Sequence, residues 1–179
     1  MARCRELGFD RIALTDHNTA EGALELQRME PELAIVGEEV KTTEGEVIGL
    51  FISRTIPAGM AAEVVMDEIH RMGGLTYMPH PVDRRRYHFR PQRLVELADR
   101  IDIIETHNPW CDPGANQAAA RLAADLAKIP ATGSDSHAPY ELGHSWMEME
   151  PFEGAQDFLE KLARARHVVT SASGSQRRA

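Results

Sequence analysis

Short apolar runs alternate with amphipathic segments along almost the whole chain, and this alternation constrains the fold more than any single motif does. RIALT, LAIVG, EVIGLFI, LTYM, IDIIE, IPATG, SWMEM and HVVTS have the length and composition of strands. Between them lie segments with helical spacing: ARCREL before Gly8, GALELQRM up to Pro31, AAEVVMDEIHRM running into Gly73 and Gly74, PQRLVELADR with Pro91 in its first turn, the alanine-rich GANQAAARLAADLAK, and AQDFLEKLARAR. Glycine just past a helix end relieves the left-handed turn there, and proline in a first turn lacks only an N–H that the helix would leave unpaired. Thr19 is placed to cap the second helix. LAIVG and EVIGLFI, separated by a turn around Glu44 and Gly45, are close enough to pair. Strand and helix in alternation predict an α/β fold built on a parallel sheet or barrel.

Composition excludes several classes of protein. With 179 residues, 42% hydrophobic and 27% charged, the chain has ordinary globular content and needs no disulfide framework to form a core. No apolar run approaches the roughly 20 residues of a membrane span. MARCRELGFD lacks the apolar core of a secretory leader, so a cytoplasmic location with no membrane partner is expected. Cys4 and Cys111 belong to no Cys-x-x-Cys pattern and read as buried or incidental thiols. A formal charge of −8 argues against a broad nucleic-acid surface, and no stable nucleic-acid complex is expected. Residues 1–170 are expected to form one domain, and the small, polar SASGSQRRA at 171–179 a disordered tail.

The strand ends carry the chemistry. They read TDHN (Asp16, His17), GEE (Glu38, Glu39), MPHP (His80), IETHN (Glu105, His107, Asn108) and TGSDSH (Asp135, His137). In a parallel α/β architecture those ends converge on one rim, so independent strands deliver ligand-type side chains to one place. Imidazole and carboxylate without thiolate suit zinc, manganese or iron in hydrolytic sites. For Glu38 and Glu46 the competing expectation is a solvated hairpin, and for His107 a plain loop position. DRRRYHFR follows directly after His80, and arginine forks match phosphate oxygens, so a substrate contact is expected among Arg84, Arg85 and Arg86.

At these residues the chain resembles the PHP family, named for polymerase and histidinol phosphatase domains. TDHNTAEG, the G-x-E followed by EVIGLF, MPHP followed by DRRR, E-x-x-N and GSDSH resemble the family's later motifs in order, over about residues 7 to 145. The resemblance implies a distorted seven-stranded (β/α) barrel, up to three divalent metal ions and phosphoesterase activity through a metal-activated water. It implies Glu39 as a bridging carboxylate, Glu46 and His80 as ligands, Asp135 as the carboxylate of GSD, and His17 and His137 as the histidines of a third metal site. Asp135 and His137 take the catalytic role, Asn108 joins the arginines as a substrate contact, and Asp16 and Glu105 orient their neighbours.

Family members begin with a strand ending in His-x-His, whereas His17 is the first histidine here. The family's N-terminal strand is therefore expected to be missing, and the activity of the chain as given to be low or absent. The substrate expected is a small phosphorylated metabolite, a nucleotide or an oligonucleotide 5′ end. Two other readings are an impaired remnant that binds a phosphorylated ligand or partner, and an amidohydrolase-type metal hydrolase. The latter usually uses a strand-end lysine, and none is evident in the sequence.

Overall fold

The computed structural model describes residues 2–170, and the predicted tail at 171–179 lies outside the described residues. The elements follow the expected alternation: α1 (Ala2–Glu6), β1 (Ile12–Leu14), α2 (Glu21–Met29), β2 (Ala34–Lys41), β3 (Glu46–Leu50), α3 (Ala62–Arg71), β4 (Leu75–Met78), α4 (Pro91–Glu96), β5 (Ile103–His107), α5 (Pro113–Asp125), β6 (Ile129–Thr132), β7 (Ser145–Glu148), α6 (Gly154–Leu162) and β8 (Arg166–Val169). Gly8, at φ +69°, follows α1 in the left-handed region that its missing Cβ permits. The first residue of α2 donates its N–H to Thr19 Oγ1 at 3.2 Å, although Ala20 occupies the cap position itself.

Strands β1 to β6 form one sheet in sequence order, and β7 pairs with β8 in a second, two-stranded sheet. The fold is thus mixed α/β, with the main sheet curled into a half-barrel. A parallel sheet or barrel was expected, with LAIVG and EVIGLFI close enough to pair, and β3 is the strand that breaks the parallel run. It runs antiparallel to both β2 and β4, because a turn as short as Thr42 to Gly45 can only return the chain beside the strand it leaves. Thr42 Oγ1 donates to Gly45 O at 2.7 Å and accepts the Gly45 N–H at 3.1 Å, closing that turn.

The two faces of the sheet bury different cores, as alternation along a strand requires. Val36, Val40, Val47 and Met78 face outward and pack with Ala23 of α2, with Val65, Met66 and Ile69 of α3, and with Leu94 of α4. Full burial of side chains such as Val65, Met66 and Ile69 stabilises the fold by roughly 1.5–3 kcal/mol each. Ile35, Ile48, Leu50, Tyr77 and Ile103 face the concave side, where Phe158 and Leu162 of α6, together with Phe152, fill the hollow. Both faces of β2 are covered, which explains its nearly unbroken apolar start. Among the described residues no helix is long and apolar enough to cross a membrane.

Candidate active site

The site lies on the rim where β1, β2, β4, β5 and β6 end and where antiparallel β3 begins. β1 stops at Leu14, but its pairing with β2 resumes as an isolated bridge between His17 and Glu39. The Asn18 N–H donates to Glu39 O at 3.0 Å and the Glu39 N–H to Asp16 O at 3.1 Å. The Asn18 side chain then accepts the Lys41 N–H at 2.8 Å, so the ends of the two strands are locked together. Asp16 therefore supports the site through its backbone carbonyl.

His17, Glu39 and Glu46 present one donor atom each, all within 4.8 Å of one another. His17 Nδ1 stands 3.7 Å from Glu39 Oε2. His80 Nε2 lies 3.2 Å from Glu39 Oε1 and 3.9 Å from Glu46 Oε2. Glu46 belongs to this group because β3 runs backwards, so that its first residue, not its last, reaches the rim. The solvated hairpin considered for Glu38 and Glu46 is not what forms. Glu46 is half-buried among the ligand-type side chains, and Glu38 is wholly buried on the opposite, helix-facing side. There one Glu38 oxygen accepts the Ile56 N–H at 2.8 Å.

Charge is costly in this group. Burial, and then the neighbouring Glu39 charge, push the Glu46 carboxyl above its usual range. For His80, burial opposes the imidazolium, but the contact with Glu39 and the charges of Glu105 and Glu39 outweigh it and raise its pKa. Glu105 is held high by burial in spite of its hydrogen bonds.

Glu105 is the hub beneath the rim. It accepts the Tyr77 hydroxyl at 3.0 Å, the His80 N–H at 2.7 Å and the Asn108 side-chain amide at 3.1 Å. His80 itself has φ +30° and Asp135 φ +44°, left-handed conformations that a non-glycine residue adopts only when its surroundings impose them. At His80 the bond from its N–H to Glu105 is one such restraint. At β6 the chain must pass so close to Glu105 that a Cβ on Gly133 would collide with the Glu105 carboxylate.

A second group faces the first. Arg86 donates to Asp135 Oδ2 at 2.5 Å, and Asn108 donates to the same oxygen at 3.3 Å. His137 Nδ1 lies 3.5 Å from Asp135 Oδ1, and the His137 and His17 rings are 5.9 Å apart, which joins the two groups. The His137 N–H donates to Glu141 Oε2 at 2.6 Å. Glu141 is buried, and nothing in the sequence marked it beyond its place four residues after His137.

The arginine run divides by role. Arg85 forks onto Asp83, with Nε to Oδ1 at 3.2 Å and Nη2 to Oδ2 at 3.0 Å, and reaches Trp110 O at 3.0 Å. Burial alone would raise the pKa of Asp83, but the bonds from the Arg85 side chain and N–H, with help from the Cys111 thiol, hold it down at about 2. Arg84 is exposed, so Arg86 is the arginine that the structure brings to the ligand-type residues. His107 sits beside the rim with Nδ1 3.3 Å from the Asn116 amide, away from both groups. One strand-end lysine exists after all: Lys41 closes β2, but its ammonium lies over the Tyr87 ring, 5.0 Å from the centre.

Residues 113–167 match the family described as PHP-associated. Two uncharacterised proteins of Methanocaldococcus jannaschii are 41% identical over 80 residues, 43% of this chain and 47% of the relative, and 32% identical over 143 residues, 76% of this chain and 56% of the relative. The chain thus spans about half the length of the curated relatives it matches. In fold it is similar to PsfC of Pseudomonas syringae, with a TM-score of 0.71 at 19% identity over 95% of this chain and 81% of that one. It is also similar to a two-domain protein of Bacteroides vulgatus described as containing a predicted PHP-like metal-dependent phosphoesterase, with a TM-score of 0.62 at 18% identity over 75% of this chain and 45% of that one. The half-barrel and the matched C-terminal segment thus make this chain similar to PHP-like proteins in fold and in residues 113–167.

Proposed function

We propose that the rim hydrolyses a phosphate mono- or diester, drawn from small phosphorylated metabolites, nucleotides or oligonucleotide 5′ ends, and that divalent zinc, manganese or iron ions serve it. The observation that carries this reading is the grouping of His17, Glu39 and Glu46 donor atoms within 4.8 Å. Among the described residues no arginine or lysine forms an ion pair with Glu39 or Glu46. Carboxylates held this close without a fixed countercharge fit a divalent cation, and the absence of thiolate from the donor set suits these metals.

His17, Glu39, Glu46 and His80 would hold one ion, and Asp135 with His137 offers donors toward others, up to three in the family pattern. When bound, such ions supply Lewis acidity that makes water a nucleophile near neutral pH and screens phosphoryl charge. Arg86 brings a planar fork suited to phosphoryl oxygens, and Asn108 adds an amide donor beside it. Where not engaged by an ion, Asp135 and His137 would move a proton at the reacting centre. Glu105 keeps His80 and Asn108 in position from below. The half-barrel is read as the larger part of the seven-stranded barrel that the family resemblance implies. The fold likeness to a protein described as a PHP-like phosphoesterase supports the same reading.

Metal analysis, together with turnover of 4-nitrophenyl phosphate in added manganese or zinc, tests it. Slow hydrolysis, in keeping with the low activity expected of this chain, that disappears in Asp135→Ala is the expected result. Metal bound without any turnover would overturn hydrolysis in favour of a site that only binds a phosphorylated ligand.

A further inference from the structure

The loop that carries Arg86 also reaches the other side of the rim. Lys41 is the register partner of Glu46 in the β2–β3 ladder, so the two side chains leave the same face of the sheet. The ammonium of Lys41 sits over the ring of Tyr87, next in sequence to Arg86, and Tyr87 keeps 40% of its surface exposed. One dipeptide thus sends Arg86 to Asp135 and Tyr87 to Lys41.

Both ends of this loop are fastened. Arg85 and the Arg86 N–H bind Asp83 at the start, the latter to its carbonyl at 3.0 Å. Phe89 is buried at the end, packed so closely on the β2–β3 turn that a Cβ on Gly45 would collide with its ring. An exposed aromatic ring on a fastened backbone is a ready stacking platform, because little ordering remains to be done when a flat group settles on it.

We propose that Tyr87 and Lys41 form a leaving-group subsite that takes a planar aromatic ring, and an anionic substituent on that ring, beside the phosphoryl position. This rests on the phosphoester reading above. Tyr87 supplies the stacking surface, and Lys41 pairs with the anion.

The test measures binding of the full, manganese-supplied chain to methylphosphonate, phenylphosphonate and 4-carboxyphenylphosphonate by calorimetry; none of the three can be turned over as an ester. Phenylphosphonate is expected to bind about five-fold more tightly than methylphosphonate. Tyr87→Leu should bring that ratio close to one, and Tyr87→Phe should preserve it. The carboxylate should add a further gain of about three-fold that Lys41→Met removes. Equal affinity for methyl- and phenylphosphonate, or a ratio that survives Tyr87→Leu, overturns the subsite and leaves the phosphoester reading standing. Failure of the wild-type chain to bind any of the three overturns the phosphoester reading and the subsite with it.

Discussion

The two groups on the rim use the same residue types and solve their electrostatics in opposite ways. In the first, Glu39 and Glu46 meet only imidazoles at ion-pair distance among the described residues, and burial holds the Glu46 carboxyl above its usual range. In the second, Asp135 already faces the guanidinium of Arg86 and the amide of Asn108. Among the described residues the first group has no arginine or lysine at ion-pair distance, and it suits a mobile cation. The second carries its own, and any ion that binds Asp135 must compete with Arg86. Under the proposed phosphoester reading, an arginine displaced in that way would be presented to the phosphoryl oxygens of the substrate.

Removing a carboxylate from the first group should have the largest effect. Glu39→Ala is expected to lower manganese affinity by more than about 100-fold, beyond the loss typical of supporting residues, and to abolish the rise in melting temperature on adding the ion. An unchanged manganese-dependent rise would show that the first group is not the primary cation site. In the second group, Arg86→Met should tighten metal binding at Asp135 and raise KM for an aryl phosphate about ten-fold, or about 1.4 kcal/mol. If neither quantity moves, the contrast between the two groups has no functional content.

Smaller effects test the supports. Asp83→Asn should cost about 1–2 kcal/mol in thermal or urea unfolding, since Asp83 is buried and Arg85 exposed. The sign with pH follows from its depressed folded pKa. The contribution of Asp83 is present above its unfolded value of 3.8 and is lost as pH falls through its folded value of about 2, so wild type and variant should approach one another below pH 3.8 and converge in stability only near pH 2. The smallest change is expected from Glu38→Gln, within about 0.5 kcal/mol at acidic pH, because the amide keeps the bond to the Ile56 N–H. Burial raises the pKa of Glu38 in the folded state, so wild-type stability falls as pH climbs above 4.5 and the glutamine variant should gain on it there. A constant difference across that range would show that Glu38 does not titrate in the fold.

Much of this was legible in the sequence because strand ends and periodicity are local properties. The runs around Ile12, Ile35, Ile48, Tyr77, Ile103 and Ala131 became strands, and His17, His80 and Asp135 stand just beyond strand ends, as read, whereas Glu39 lies within β2, two residues before its end. What was not legible depends on which way a side chain turns. Glu38 and Glu39 look alike in GEEV, yet alternation sends the first into the helix-facing core and the second to the rim. Lys41 was not recognised as a strand end, because β2 runs beyond the apolar segment that announced it. Arg84, Arg85 and Arg86 were equivalent on paper, and only the position of Asp83 and Asp135 in space separates them. Glu141 carried no signal, since its role depends on a backbone N–H that any residue at position 137 would offer.

The anchor at Asp83 also involves the Cys111 thiol. Burial, and then its hydrogen bond to the Asp83 carboxylate, push that thiol well above the ordinary range, so it remains protonated although the residue is partly exposed. Alkylating reagents attack the thiolate, not the thiol. With the loop seated, Cys111 should react slowly, and detachment of Asp83 should speed the reaction. Covalent labelling at one sulfur atom would then time the release of the loop that holds Arg86 and Tyr87 in place.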